Sequence, residues 1–357
     1  MKLKKLINDF LQDYLNQNKI EFSEWSVNVN NQEGFGDYSS NIALKLAKIL
    51  KKTPIEIAQN IVNHPNTSEN VFTISASKPG FVNFHVSNNY YLEILKQIIN
   101  ESENFGKKKK LNKSANVEFV SSNPTGPLTV GHGRQAILGD MVSNILTWNG
   151  YDVTREYYYN DAGRQMRVLA ESCYTKYAQQ NGKDVEMPEN GYVGTYLDDI
   201  AEKIVKKYGK DLESDNPIFR DFTEKEIFSN IENTLDSIGI KFDVFTKEGT
   251  FYKNGAIDNV LKTLKEKDLS YEKDGAVWFK TSSLDKEEDK VLVKSTGEPT
   301  YRLPDIAYHA DKVDRGFDLI VDIFGADHID TYPDVILGLK CLDKKTDHIK
   351  VVIHQFV

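Results

Sequence analysis

The sequence predicts an α/β protein: a parallel-sheet domain carrying a helical insertion, with a small α+β domain in front of it. Three observations carry this reading. Residues 116–158 run strand, helix, strand, which is the βαβ unit and crosses over right-handed into a parallel sheet. Strand character then lapses for about 100 residues of helical, charged chain before returning, too long for an ordinary crossover and so an insertion. Ahead of both, helical periodicity gives way to alternating strands within about 110 residues. We expect domains at 1–110 and 111–357, with the insertion at about 165–270.

In chain order, Leu3, Leu6, Ile7, Phe10, Leu11 and Leu15 share one helix face. Ala43, Leu46, Ala47 and Leu50 make a second stripe over Ser40–Lys51. Thr53-Pro54-Ile55-Glu56 reads as N-cap, N1 proline and capping-box acid for a third helix. Val71–Ser75 and Phe81–Ser87 read as strands joined by a turn at Pro79-Gly80. Lys107–Lys110 reads as a solvated linker. Asn116–Ser121 is a short apolar strand, and Asn123–Pro127 cannot be helical. The helix from Gly131 carries Ile137, Met141, Ile145 and Trp148 on one side and stops at Asn149-Gly150. Tyr151–Tyr158 is the next strand, so the unit is the opening half of a Rossmann-type domain. Residues 161–270 read as mostly helical, with a loop at Asn181–Gly194. Strands return at Gly275–Lys280, Lys290–Lys294, Asp318–Phe324 and His348–Val357, with a helix near Pro333–Cys341.

Composition narrows the function. Of 357 residues, 39% are hydrophobic and 27% charged, which excludes disorder, collagen and coiled coil as the main state. No apolar run approaches the ~20 residues that span a bilayer, and the N-terminus is not a signal peptide. Cys173 and Cys341 are the only cysteines, which argues against a disulfide framework or structural zinc and for a reducing cytoplasm. The net charge of −8 divides unevenly. Residues 1–113 hold 15 Lys/Arg against 11 Asp/Glu, and the remainder holds 30 against 42, a mildly basic front on an acidic body.

The segment with most chemical content is Asn123-Pro124-Thr125-Gly126-Pro127-Leu128-Thr129-Val130-Gly131-His132-Gly133-Arg134, between a strand and a helix start. Ligands of open α/β sheets bind there, and unpaired helix amides favour an anion, phosphate above all. Gly131 and Gly133 let backbone approach a ligand, and His132 can donate to a phosphate oxygen as charge develops. No Walker GxxxxGK[ST] or GxGxxG pattern occurs, which disfavours a P-loop ATPase and a dinucleotide dehydrogenase. Taken alone, the loop is equally a tight turn with a capping histidine.

Glu118–Pro127 followed by Thr129–Arg134 resembles the first signature, HxGH, of class I arginyl-tRNA synthetases of bacterial type. Gly36–Ala43 and Lys78–Phe84 are similar to that family's N-terminal tRNA-contacting module, and Tyr159–Gln165 to its second strand-to-helix turn. Gly297–His309 and Gly325–His328 resemble the strip lining its amino-acid pocket. The resemblance implies activation of L-arginine by ATP with Mg2+ to an adenylate, then transfer to tRNA(Arg). It assigns ATP contacts to Gly131, His132, Gly133, Asp327 and His328, with His132 and Thr129 catalytic. It assigns arginine contacts to Glu118, Asn123, Tyr301 and Asp305. A carboxylate and an aromatic ring four residues apart match a planar guanidinium. No tightly held metal, no membrane and no second chain is implied, so a cytoplasmic monomer is expected.

Two departures stand out. Thr129 replaces the first signature histidine, and a hydroxyl cannot carry that residue's positive charge. The KMSK-type lysine loop does not occur in these 357 residues, which suggests a truncated chain with little activity alone. Two competing readings follow: another HxGH-type adenylyl transferase, or a non-catalytic fragment that binds RNA or small ligands.

Overall fold

The structure, a computed structural model, describes residues 2–355, so the last two residues of the predicted final strand, Phe356 and Val357, lie outside it. The chain forms two units, divided after Gly106.

The first unit holds α1 (Lys2–Gln17), β1 (Val27–Val29), β2 (Tyr38–Ser40), α2 (Ile42–Leu50), α3 (Pro54–Val62), β3 (Phe72–Ser77), β4 (Phe81–Val86) and α4 (Asn88–Glu101). The apolar stripe of α1 buries Ile7, Phe10, Leu11 and Leu15 against Phe72 and Phe84 of an antiparallel sheet ordered β1-β2-β4-β3. Helix α3 starts as its sequence requires: the Glu56 carboxylate accepts from the Thr53 backbone N–H (2.9 Å) and hydroxyl (2.7 Å).

The second unit is built on β5 (Ser114–Glu118), α5 (Val130–Trp148), β6 (Asp152–Tyr159), α6 (Gly163–Gln180), α7 (Tyr196–Tyr208), α8 (Ile218–Ser237) and β7 (Val244–Lys247). It continues through α9 (Gly249–Lys253), α10 (Ala256–Glu266), β8 (Ser270–Lys273), β9 (Ala276–Phe279), β10 (Lys290–Val293), α11 (Arg302–Asp314), β11 (Leu319–Gly325), α12 (Tyr332–Cys341) and β12 (Ile349–His354). Strands β12-β11-β5-β6-β7 form one parallel sheet, and β10-β9-β8 a small antiparallel one. The order reverses at β5 and β11, which is where an open α/β sheet leaves its ligand crevice. Among the described residues, no helix is long and apolar enough to cross a membrane.

Two differences from the sequence reading have physical causes. The span read as helical contains β7, which joins the main sheet beside β6. Four residues at a sheet edge are too few to show a period against the long helices around them. The α5 face carrying Ile137, Met141, Ile145 and Trp148 points outward, each residue more than 40% exposed. The face toward the sheet is made of Gln135, Ala136, Gly139 and Ser143. Phe119 fills the space that a Cβ at Gly139 would take. Small residues permit closer packing than the apolar stripe does, and periodicity cannot rank two such faces.

Candidate active site at the strand ends

A cavity of about 500 Å3 opens at the carboxyl ends of the parallel strands. Its floor begins where β5 stops at Glu118. Val120 and Ser121 both take left-handed backbone angles (φ 68° and 41°), and for a β-branched valine that geometry is strained. The kink aims the Ser121 hydroxyl at Glu118 Oε1 (2.9 Å) while its oxygen accepts the Tyr158 N–H (3.0 Å). β5 and the neighbouring end of β6 are thereby tied together beneath the cavity.

The N-terminus of α5 forms one wall. Thr129 is its N-cap, and His132 Nδ1 accepts from the Thr129 backbone N–H (3.1 Å), with the Thr129 hydroxyl also at 3.1 Å. Accepting at Nδ1 leaves the proton on Nε2. Burial pushes the His132 pKa down from its ordinary value, so near neutral pH the ring is an uncharged donor. Thr129, Gly131 and His132 line the cavity; Gly133 does not.

The opposite wall is acidic. Lys312 of α11, with no exposed side-chain surface, donates to Glu118 Oε2 (2.5 Å) and Asp322 Oδ1 (2.7 Å). His309 Nε2 lies 3.4 Å from the other Asp322 oxygen. Burial and Lys312 press the imidazole pKa down, but Asp322 and its other acidic neighbours outweigh them and the net direction is up. Glu118, His309 and Asp322 lie close enough to bracket a metal ion, yet Lys312 already bridges the two carboxylates. The Lys312 ammonium also sits 4.5 Å from the centre of the Tyr308 ring, which stacks on Tyr158 at 4.1 Å. Tyr158 in turn donates to Glu248 Oε2 (3.1 Å).

Asp305 and Glu248 differ from Glu118 and Asp322 in having, among the described residues, no lysine or arginine within ion-pair distance. Burial, reinforced by Glu118, pushes the Asp305 pKa up to about 6 against the pull of His309, His328 and Lys312. Burial and the nearby Asp305 push Glu248 up to about 7, although the Tyr158 and Tyr252 hydroxyls favour its charged form. Two carboxyls held partly protonated at neutral pH form a site prepared for a cation.

At the rim, Asn123 donates to Gln165 (2.7 Å), which donates to the Tyr301 hydroxyl (2.8 Å). Tyr301 is the N-cap of α11 and Asp305 lies in its first turn, so both face one cavity. Asp327 and His328 follow β11; His328 is 46% exposed and stacks on Phe324 at 4.9 Å. The cavity therefore gathers Glu118, Asn123, Thr129, Gly131, His132, Tyr301, Asp305, Asp327 and His328. Sequence reasoning missed Glu248, Tyr158, His309 and Lys312. Glu248 directly follows the edge strand that went unrecognised, and Lys312 looks like any helix-surface lysine until its partners are in place.

The chain is similar to known proteins over most of its length. A family model described as "tRNA synthetases class I (R), catalytic domain" matches residues 94–328, and one described as "Arginyl tRNA synthetase N terminal domain" matches residues 1–86. The arginine–tRNA ligase of Desulfotalea psychrophila is 46% identical over 94% of the chain and 61% of that protein. That of Chlorobaculum parvum is 44% identical over 98% of the chain and 65% of that protein. The solved Thermus thermophilus arginyl-tRNA synthetase superposes with a TM-score of 0.66 at 18% identity, covering 99% of the chain and 65% of that structure, a likeness of fold. The chain thus spans somewhat under two thirds of the length of these curated relatives.

Proposed function

The chain belongs to the class I arginyl-tRNA synthetase family, and on that premise we propose that its cavity takes L-arginine beside ATP. The reaction of the whole protein is then ATP-dependent formation of arginyl-adenylate and transfer of arginine to tRNA(Arg). The observation that carries the reading is the pair Asp305 and Glu248, two desolvated carboxyls facing one cavity with no lysine or arginine among the described residues paired to them. A guanidinium supplies the missing charge and enough N–H donors for both. Tyr301 at the mouth offers a ring face and a hydroxyl. Asn123, on the β5–α5 loop, is placed for the α-amino or carboxyl end.

In the first step an arginine carboxylate oxygen bonds to the α-phosphorus of ATP as the bond to pyrophosphate breaks. Charge develops on phosphate oxygens, next to the amides of α5 and the Nε2–H of His132. The neutral donor adds stabilisation without a formal charge, and Thr129 acts by holding that ring. Mg2+ enters as part of the nucleotide substrate. In the second step a ribose hydroxyl of the tRNA attacks the arginyl carbonyl and AMP leaves. Positioning and electrostatics supply the rate, with no covalent enzyme intermediate. Asp327 and His328 belong to the nucleotide end, Glu118 to the floor under the amino acid, and residues 1–110 to tRNA contact. A monomeric cytoplasmic protein is part of the same reading.

Calorimetric titration with arginine, and with its neutral isostere citrulline, tests the pocket. Saturable arginine binding with citrulline at least about 100-fold weaker is expected, because a buried carboxyl left without its cation costs about 3 kcal/mol. Equal affinity for the two ligands refutes it. ATP–pyrophosphate exchange driven by arginine, with and without tRNA, then tests the chemistry.

A further inference from the structure

Besides Asp327 at the rim, four carboxyl groups stand around the cavity, and they fall into two pairs. Glu118 and Asp322, opposite each other across β5 and β11, share Lys312. Asp305 and Glu248 share no lysine or arginine among the described residues. Lys312 is fully buried, reaches out of α11 to both strands, and has no contact with solvent that would explain its charge. Its surroundings hold its proton firmly: Asp322, Glu118 and Glu156 raise its pKa against the effect of burial. A lysine buried this way is costly unless its charge is needed.

We propose that Lys312 is a positioning residue of the amino-acid pocket, engaging Glu118 and Asp322 so that an incoming guanidinium is directed to Asp305 and Glu248. The proposal rests on the arginine reading given above. Glu118 has both oxygens occupied, one by Lys312 and one by the Ser121 hydroxyl. Asp322 has one oxygen on Lys312 and the other toward His309. Both strand ends are thereby fixed, and one of their two negative charges is offset by the ammonium, before ligand arrives. Removing the ammonium leaves Glu118 facing Asp322 and Asp305 across a buried gap, and like charges at such range cannot all stay ionised. The ligand-free pocket then takes up a proton that arginine must displace.

The groups that bear on this balance come from every packed element. They are Glu118 on β5, Glu156 on β6 with the Arg315 paired to it at the end of α11, Tyr308 and His309 beside Lys312 on α11, and Asp322 on β11. Asp305 is reached in addition by His328, and Glu248 by Asp161, Tyr158 and Tyr252.

The readout is the number of protons released per arginine bound, from calorimetry at pH 6.5 in two buffers of different ionisation enthalpy. A residue that merely fills space does not change that number. Wild type, Lys312→Met and the double variant Lys312→Met/Asp322→Asn are compared. Wild type is expected to release about one proton, Lys312→Met about one more, and the double variant the wild-type number, since one extra coupled proton is a further tenfold in affinity per pH unit. Equal counts in wild type and a folded Lys312→Met overturn the proposal. If Lys312→Met fails to fold while the double variant folds with the wild-type count, charge balance is upheld. If both fail to fold, Lys312 is a packing residue and the proposal falls. Absence of arginine binding by wild type instead removes the pocket reading, a separate result.

Discussion

Replacing Glu248 by glutamine should stabilise the ligand-free protein while destroying its hold on arginine. Glu248 is 5% exposed, and its pKa moves from 4.5 to about 7 because burial and Asp305 oppose its charge. The folded chain therefore keeps this proton where the unfolded chain has lost it. Relative to a neutral residue, the penalty is absent below the unfolded value of 4.5, grows from there, and is complete above about 7. A shift of that size at 1.36 kcal/mol per unit gives about 3 kcal/mol at pH 8. The side-chain amide introduced by Glu248→Gln would still accept from the Tyr158 hydroxyl, so most of that difference should survive the substitution. Urea unfolding from pH 4.5 to 8 should show the variant more stable than wild type at pH 8, with the gap closing toward pH 4.5. Arginine at 100 times its dissociation constant should add about 2.7 kcal/mol to wild type and little to the variant. A variant less stable than wild type at pH 8, or a gap that ignores pH, would refute the idea that this acid is held in readiness for a cation. Function and stability then pull against each other at one residue.

Arginine affinity should fall as pH drops, first through about 7 as Glu248 takes a proton and then through about 6 as Asp305 does, approaching tenfold per unit for each. Titrations in one buffer series between pH 5.5 and 8.5 measure the slope, and a flat profile counts against both assignments. Asp305→Asn should weaken arginine at least about 100-fold while leaving the melting temperature near or above that of wild type, because it removes a disfavoured buried charge. Gly139→Ala should cost about 1–3 kcal/mol or more in a denaturant melt, since its Cβ would overlap the Phe119 ring under α5. No loss there would mean that α5 can stand away from the sheet.

The sequence alone carried the architecture because its local rules agree with one another. The capping box at Thr53–Glu56, the α1 stripe and the βαβ pattern of β5, α5 and β6 all follow from periods and caps that neighbouring residues settle. It also marked Asn123–Arg134 as the anion-facing loop and, through the family resemblance, Tyr301 and Asp305 as a pair; Asn123, Thr129, Gly131 and His132 of the loop meet that pair at one cavity. What it could not settle was anything decided by distance across the fold. The outward face of α5 depended on which of two possible faces fits the sheet, and β7 on an edge partner about 90 residues away. The charge of the site was decided the same way. Read along the chain, Asp322, Glu248 and Lys312 are ordinary charged residues, and with the marked Glu118 and Asp305 they lie scattered over about 200 positions. Only when the strands align do two of the acids close on the buried lysine and two remain open to the cavity, because ionisation in a protein interior is set by neighbours and burial, not by residue type.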